Sequence, residues 1–160
     1  MKKAVYTGSF DPITLGHLNI VERGSQIVDE LVVGIGINIE KKGLFEPEER
    51  LELVERCTSK FSNVSVQCFQ GLAVNFVESC GAKVMIRGVR PLTDIAAEIT
   101  MTMANRRLKE ELETIFLMAD GEYAHVSSSL IKQIAPLADD NQLARFVPRD
   151  IIPDLRNKLG

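Results

Sequence analysis

The feature that most constrains the fold is an alternation of short apolar runs with stretches of helical pattern. The run over residues 31–37 is rich in Val and Ile, which is typical of a strand buried on both faces. Strands separated by helices predict a parallel sheet with right-handed crossovers. The predicted strands cover residues 4–6, 31–37, 64–69, 84–86 and 114–118. We therefore expect a doubly wound α/β domain with five parallel strands.

Helix signals fill the intervals between the strands. Pro47 suits the first position of a helix, and the neighbouring glutamates complement the helix dipole. Further helices are expected over residues 18–28, 72–80, about 93–112 and about 148–159, with another that begins at the serines of residues 127–129. No repeat, low-complexity segment or linker interrupts the pattern. Residues 1–160 are therefore interpreted as a single domain that ends in C-terminal helices.

Composition excludes several classes of function. The net charge of −3 gives no electrostatic case for binding nucleic acid or an anionic membrane. The basic N-terminus has no signal-peptide apolar region, and no apolar run is long enough to span a bilayer. Cys57, Cys68 and Cys80 lack CxxC spacing and nearby histidines, so neither a zinc site nor a disulfide framework is expected. Reduced cysteines predict a cytoplasmic location.

A glycine-punctuated turn joins the first predicted strand to the first predicted helix, over residues 7–17 (TGSFDPITLGH). A helix that starts after such a turn offers free backbone N–H groups and the positive end of its dipole to a phosphate. The turn also carries a hydroxyl at Ser9 and an imidazole at His17. This combination favours chemistry on a nucleotide over simple nucleotide binding.

Open parallel sheets bind ligands beyond the carboxyl ends of their strands, where the strand order reverses. Four of the five predicted strands are followed by groups that can hold a phosphate. They are Ser9, Asp11 and His17 after the first strand, Lys41 and Lys42 after the second, Arg87 and Arg90 after the fourth, and His125 with Ser127, Ser128 and Ser129 after the fifth. An arginine at the end of an apolar strand indicates an anionic partner. The sequence therefore predicts a phosphate-binding cleft at this edge of the sheet.

Several of these residues also have a simpler structural explanation. The hydroxyl of Ser9 could do no more than form hydrogen bonds within its turn. His17 taken alone could be a surface residue at a helix start. Asp11 before Pro12 is interpreted as a turn or cap residue that orients the loop, and Lys42 as part of a solvated loop. At least one of the three serines is expected to cap a helix, which leaves the neighbouring hydroxyls free for phosphate.

Two short motifs resemble the signatures of the nucleotidylyltransferase superfamily, at residues 14–17 (TLGH) and 127–132 (SSSLIK). The order of the landmarks is similar to that of bacterial phosphopantetheine adenylyltransferases over nearly the whole chain. These landmarks are residues 8–12 (GSFDP), 41–42 (KK), 86–90 (IRGVR), 105–106 (NR) and 123–132. The resemblance implies a Rossmann-like fold, a homohexamer and an adenylyl transfer from ATP, with Mg²⁺, to phosphopantetheine. The products would be dephospho-coenzyme A and pyrophosphate.

The resemblance also implies roles for individual residues. His17 and Lys41 are expected to stabilise the transition state, and Arg87 to hold the acceptor phosphate. The residues expected to contact ATP are Ser9, Phe10, His17, Gly88, Val89, Arg90, Glu98, Tyr123, Ala124, His125, Val126, Ser127, Ser128 and Ser129. Those expected to contact phosphopantetheine are Ser9, Lys41, Leu72, Ala73, Arg87, Met101 and Asn105, with Ser9 also donating near the attack site. No protein side chain is expected to bind a metal directly.

The chain departs from the family pattern at three places. Ala97 stands where the family usually has a tyrosine, and Thr7 stands where proline is usual. Residues 123–125 (YAH) replace a more common aromatic-Ser-Phe run. These changes affect the expected contacts on the adenine side and leave His17, Lys41 and Arg87 in place.

Two other functions are compatible with parts of the pattern. A relative that uses another acceptor, such as nicotinamide mononucleotide or glycerol phosphate, usually has His in place of Thr14 and Arg in place of Lys132, so the residues here favour phosphopantetheine. A nucleotide-sensing or flavodoxin-like binding module would explain the fold and the glycine turn. It would not explain His17, Lys41 and Arg87 together.

Overall fold

The computed structural model describes residues 1–90 and 95–160, in which strands and helices alternate as predicted. The strands are β1 (Lys3–Gly8), β2 (Glu30–Gly36), β3 (Val64–Phe69), β4 (Val84–Val89) and β5 (Glu113–Met118). The α-helices of this part of the chain are α1 (Leu15–Ile27), α2 (Pro47–Thr58), α3 (Ala73–Ser79), α4 (Ile95–Leu108), α5 (Ser128–Ile134), α6 (Asp140–Leu143) and α7 (Ile152–Leu159). Short 3₁₀ turns cover Gly121–Tyr123 and Arg149–Ile151.

The five strands form one parallel sheet with the order β3-β2-β1-β4-β5. From β1 the chain moves outward to β3 and then returns through α3 to β4 on the other side of β1. The strand order therefore reverses between β1 and β4, which is where ligands bind in doubly wound sheets. The predicted doubly wound, five-stranded parallel sheet is confirmed.

Alternate residues of the central strand β1 enter two different cores. Ala4 and Tyr6 pack in a cluster with residues of α1, α2 and the C-terminal helices, whereas Val5 packs with residues of α3. This follows from the two-residue period of a strand, which sends successive side chains to opposite faces. Helices therefore cover the sheet on both faces.

Three predicted helix boundaries are wrong. Helix α1 begins at Leu15 rather than at residue 18, because the hydroxyl of Thr14 caps it by accepting the N–H of His17 at 3.2 Å. Helix α4 ends at Leu108 rather than at residue 112, since Leu112 is buried in the core beside α3 and the chain must turn before it. The predicted start of this helix near residue 93 lies outside the described residues. The predicted C-terminal helix is divided into a 3₁₀ turn and α7, and α6 precedes it.

Helix α4 and the edge strand β5 expose large apolar side chains. In the described part of α4, Asn105 is buried while Met101 and Met103 are 58% and 67% exposed. On β5, Phe116 and Met118 are also exposed. Within residues 1–90 and 95–160, no helix combines the length and the apolar character that crossing a membrane requires. The exposed apolar side chains of α4 and β5 are typical of a surface that contacts another protein.

Candidate active site

The candidate site is a cleft that opens where β1 and β4 separate. These two strands pair from Ala4↔Val84 to Tyr6↔Ile86, whereas β1 stays paired with β2 as far as Gly8↔Ile35. The carboxyl ends of the two strands diverge beyond that point and leave a cleft of about 330 Å³. The predicted site residues that line it are Ser9, His17, Arg87, Gly88, Val89, Arg90, Glu98, Tyr123, Val126, Ser127, Ser128 and Ser129. The sequence motifs therefore do meet at one edge of the sheet.

A reciprocal capping box holds His17 at the start of α1. The hydroxyl of Thr14 accepts the backbone N–H of His17, and Nδ1 of His17 accepts the backbone N–H of Thr14 at 3.1 Å. A ring nitrogen that accepts a hydrogen bond from an amide carries no proton, so the proton of the neutral ring lies on Nε2. The cap thus assigns one tautomer to His17, and this tautomer offers an Nε2–H donor in the cleft.

The surroundings of His17 keep its ring neutral. The loss of hydration in the cleft is the main reason why the pKa falls from 6.5 to about 4, and the charges of Arg90 and Arg87 lower it further. The ring of Phe10, which is buried, packs against the imidazole with the two ring centroids 4.8 Å apart. His17 can therefore donate a hydrogen bond at neutral pH without carrying a charge.

Arg87 bridges the divergence between the two central strands. Its Nη1 donates to the carbonyl oxygen of Thr7 and, at 3.1 Å, to the hydroxyl of Thr7. Its Nε and Nη2 donate to the two carboxylate oxygens of Glu98 on α4, at 3.0 and 2.6 Å. A bidentate pair of this kind fixes the plane of the guanidinium. Glu98, which the sequence predicts as an ATP contact, is therefore a partner of Arg87 in this structure.

The serines of residues 127–129 line the cleft, and two of them also form hydrogen bonds within the fold. Ser127 caps α5 by accepting the N–H of Leu130 at 3.1 Å, which confirms that one of the serines is a helix cap. The hydroxyl of Ser128 donates to the carbonyl oxygen of Pro12 at 2.8 Å and so ties the serine motif to the turn that precedes residues 14–17. Ser129 is exposed at the cleft wall. A hydrogen bond within the protein therefore holds these two segments together.

Other predicted site residues lie outside this cleft. They are Phe10, Lys41, Leu72, Ala73, Met101, Asn105, Ala124 and His125. Lys41 is exposed in the loop between β2 and α2, and His125 is exposed with its ring 6.0 Å from that of Phe146. Phe10 lies beneath His17, as described above. The ligand contacts assigned to these eight residues stay predictions.

The cleft also contains residues that the sequence analysis did not assign to the site. These are Tyr6, Thr7, Gly8, Thr14, Gly16, Ile20 and Ala119. A signal was present for some of them, since Tyr6, Thr7 and Gly8 form the carboxyl end of the strand that precedes Ser9. Ile20 follows His17 by three residues and so lies on the same face of α1. Burial raises the pKa of the Tyr6 phenol above its ordinary value, so this hydroxyl stays protonated.

The described side chains that line the cleft offer few ligands for a metal ion. Among the described residues, no group of three or more His, Cys, Asp or Glu is placed to hold a metal ion. The carboxylate that lines the cleft belongs to Glu98, which is paired with Arg87. Such a donor set fits an ion held mainly by phosphate oxygens and water, as Mg²⁺ usually is beside nucleotides.

Comparisons with known proteins identify the family of this chain. Residues 5–134 match the cytidylyltransferase-like family. A phosphopantetheine adenylyltransferase of Rhodopirellula baltica is 66% identical over 158 residues, which cover 98% of this chain and 88% of the relative. One of Clostridium botulinum is 46% identical over 160 residues, which cover 100% and 96%. A solved structure from Vibrio parahaemolyticus, proposed to be a nicotinate-nucleotide adenylyltransferase, shares the Rossmann-like fold with a TM-score of 0.70 at 17% identity, covering 98% and 93%. The chain therefore belongs to the cytidylyltransferase-like family and, within it, to the phosphopantetheine adenylyltransferases.

Proposed function

We propose that this protein transfers AMP from ATP to phosphopantetheine and forms dephospho-coenzyme A and pyrophosphate. The observation that carries the proposal is the cleft between β1 and β4, where His17, Arg87, Arg90 and the serine motif surround one space. Its volume lies within the range of ligand pockets, roughly 300–1,000 Å³. The names of the relatives that are 66% and 46% identical support this choice of substrates.

In the proposed reaction, an oxygen of the acceptor phosphate forms a bond to the α-phosphorus of ATP. The bond from that phosphorus to the oxygen bridging to the β-phosphate breaks in line, and pyrophosphate leaves with the electron pair. The acceptor phosphate is already anionic at neutral pH, so the reaction needs no general base and no covalent intermediate. The main obstacle is the repulsion between two polyanions, which fixed donors and cations reduce.

The residues of the cleft supply those donors and cations. His17 would donate its Nε2–H to an oxygen of the α-phosphate, and Ser9 would donate nearby. Arg87 would hold the acceptor phosphate, with Glu98 as its partner before the phosphate arrives. Arg90 and the serine segment would hold the β- and γ-phosphates. Lys41 would add a positive charge from the loop after β2.

Mg²⁺ is proposed to accompany ATP, where its charge would neutralise part of the polyphosphate. The serine hydroxyls and the arginines of the cleft would then hold the phosphate oxygens that the ion leaves open. We also propose a cytoplasmic location, in agreement with the reduced state expected for the cysteines.

The exposed apolar side chains of α4 and β5 support the proposal that the protein forms a homohexamer. Met103, at 67% exposure, is the most exposed of them on α4. We expect light scattering to give six times the chain mass of 17.8 kDa. A Met103→Glu variant should give a smaller particle, because charges are depleted at the core of protein interfaces. A wild-type monomer would contradict this proposal.

A panel of acceptors tests the reaction itself. ATP and Mg²⁺ are incubated with phosphopantetheine, nicotinamide mononucleotide or glycerol phosphate, and pyrophosphate release is measured. We expect release with phosphopantetheine, and incorporation of labelled pyrophosphate into ATP that depends on dephospho-coenzyme A. A pure binding module shows neither signal, and a relative with another acceptor responds to a different member of the panel. The structural neighbour at 17% identity establishes the fold alone, so the alternative acceptor is not favoured.

A further inference from the structure

Asp11 is a buried carboxylate that connects three segments of the chain. Its side chain is 8% exposed. Its Oδ2 accepts the N–H of Leu44 and its Oδ1 accepts the N–H of Phe45, both at 2.8 Å. Lys132 on α5 places its Nζ 3.3 Å from Oδ2. The carboxylate therefore joins the turn after β1, the loop before α2 and the helix of the serine motif.

Arg50 on α2 completes this arrangement. Its Nε lies 3.5 Å from Oδ1 of Asp11 and donates to the carbonyl oxygen of Phe45 at 2.9 Å. The packing leaves no space for a side chain at Gly43, where a Cβ atom would lie 1.9 Å from Nη2 of Arg50 and 2.7 Å from Oδ2 of Asp11. Residues 43–45 are thus held by two N–H groups that donate to Asp11, by the bond from Arg50 to the carbonyl oxygen of Phe45, and by close contact with the buried ion pair.

The loop held in this way is the one that carries Lys41. At the other end of the loop, the N–H of Ile37 donates to the carbonyl oxygen of Phe69. Within the loop, the N–H of Lys41 donates to the carbonyl oxygen of Asn38 at 3.1 Å. Lys41 is exposed, so little packing of its own determines where its ammonium group lies. The anchor on Asp11, only six residues before His17 in the chain, relates this loop to the first motif.

We propose that Asp11 is a positioning residue that sets the loop of Lys41 against the motif of His17. The proposal rests on the proposed function, in which both side chains act on the transferring phosphate. Arg50 and Lys132 both pair with the carboxylate of Asp11, so Lys132 links the serine motif to the turn before His17.

A double-mutant cycle tests the proposal, because coupling separates positioning from a general loss of structure. In the intact protein, Asp11→Asn removes the charge and one of the two acceptors for the loop. We expect kcat/KM for phosphopantetheine to fall by on the order of 10²-fold, the loss that a displacement of about 1 Å can cause. In a Lys41→Ala background, the same substitution should change kcat/KM by less than about threefold, since the loop then lacks the ammonium group that the anchor is proposed to position.

Two further variants complete the experiment. Arg50→Lys keeps the positive charge but loses the Nε–H donor to Phe45. It replaces Asp11→Asn in the double-mutant cycle if that variant does not fold. Asp139→Asn is the matched control, because Asp139 also accepts a backbone N–H, from Gln142 at 2.8 Å, but in the exposed cap of α6. It should change the melting temperature little, because asparagine caps a helix about as well as aspartate, and it should leave kcat/KM unchanged.

Equal losses from Asp11→Asn with and without Lys41 would overturn the proposal. Full activity of the Lys41→Ala variant would overturn it as well. In both cases the wild-type protein would still make dephospho-coenzyme A, so the proposed function would stand. A wild-type protein that makes no dephospho-coenzyme A would instead contradict the proposed function, and the positioning role with it.

Discussion

Replacement of His17 by Ala should separate two effects that the capping box combines. The first effect concerns catalysis, because the variant lacks the Nε2–H donor. Removal of one preorganised donor to a developing charge typically lowers kcat by about 10²–10³, or roughly 2.7–4 kcal/mol. The binding of ATP should change much less, since Arg90 and the serine segment remain. The expected result is a large loss in kcat with a KM for ATP close to that of the wild type.

The second effect of His17→Ala concerns stability. Thr14 is 1% exposed, and its backbone N–H loses its acceptor on Nδ1. A buried donor left unsatisfied costs about 1–3 kcal/mol. For a chain of this length each kcal/mol lowers the melting temperature by about 2–4 °C, so a decrease of several degrees is expected in calorimetry.

A His17→Gln variant distinguishes the two effects. Glutamine at the third helical position can accept the N-cap N–H, as it does in other capping boxes. We therefore expect the melting temperature to return toward that of the wild type while kcat stays low. Steady-state assays of pyrophosphate release and calorimetry on the same samples provide both measurements. A His17→Ala protein with kcat within about threefold of the wild type would refute the donor role, since the expected loss is about 10²–10³.

Three further predictions concern pH, packing and capping. The pKa of His17 is lowered from 6.5 to about 4 in the folded protein, so the unfolded chain binds this proton first as pH falls. The melting temperature of the wild type should therefore fall relative to that of His17→Gln as pH decreases from 6.5 to about 4. A rise of the wild type relative to His17→Gln over this range would contradict the prediction. In Gly88→Ala, the new Cβ would lie 2.9 Å from Cγ1 of Ile20, and overpacking should cost about 1–3 kcal/mol in denaturant unfolding. Gly121→Ala, whose Cβ would meet nothing within 4 Å, is its control, and equal losses would contradict the packing explanation. Ser127→Ala should cost about 1 kcal/mol by urea unfolding through loss of the α5 cap, and an unchanged midpoint would contradict that contribution.

Prediction from the sequence worked best where the determining interactions are local. The short apolar runs between helical stretches predicted all five strands, and the positions of His17, Arg87 and the serines after the strands predicted that they meet. The same reasoning placed Lys41 with them, because it follows the second predicted strand, and its contact with a ligand stays a prediction. In the structure the cleft opens between β1 and β4, whereas Lys41 follows β2 on the other side of β1. The point at which two strands separate depends on packing across the whole sheet, so a local pattern does not reveal it.

The sequence by itself determined the order of strands and helices, the motif at His17 and the family. These properties depend on apolar patterns and motif spacing, which are local in the chain. The tertiary structure alone decided that the cleft lowers the pKa of His17, that Glu98 pairs with Arg87, and that Asp11 anchors the loop before α2. Each of these facts depends on hydration and on hydrogen-bond partners. Those partners reach Arg87 from 80 residues away, at Thr7, and reach Asp11 from 121 residues away, at Lys132, so only folding brings them together.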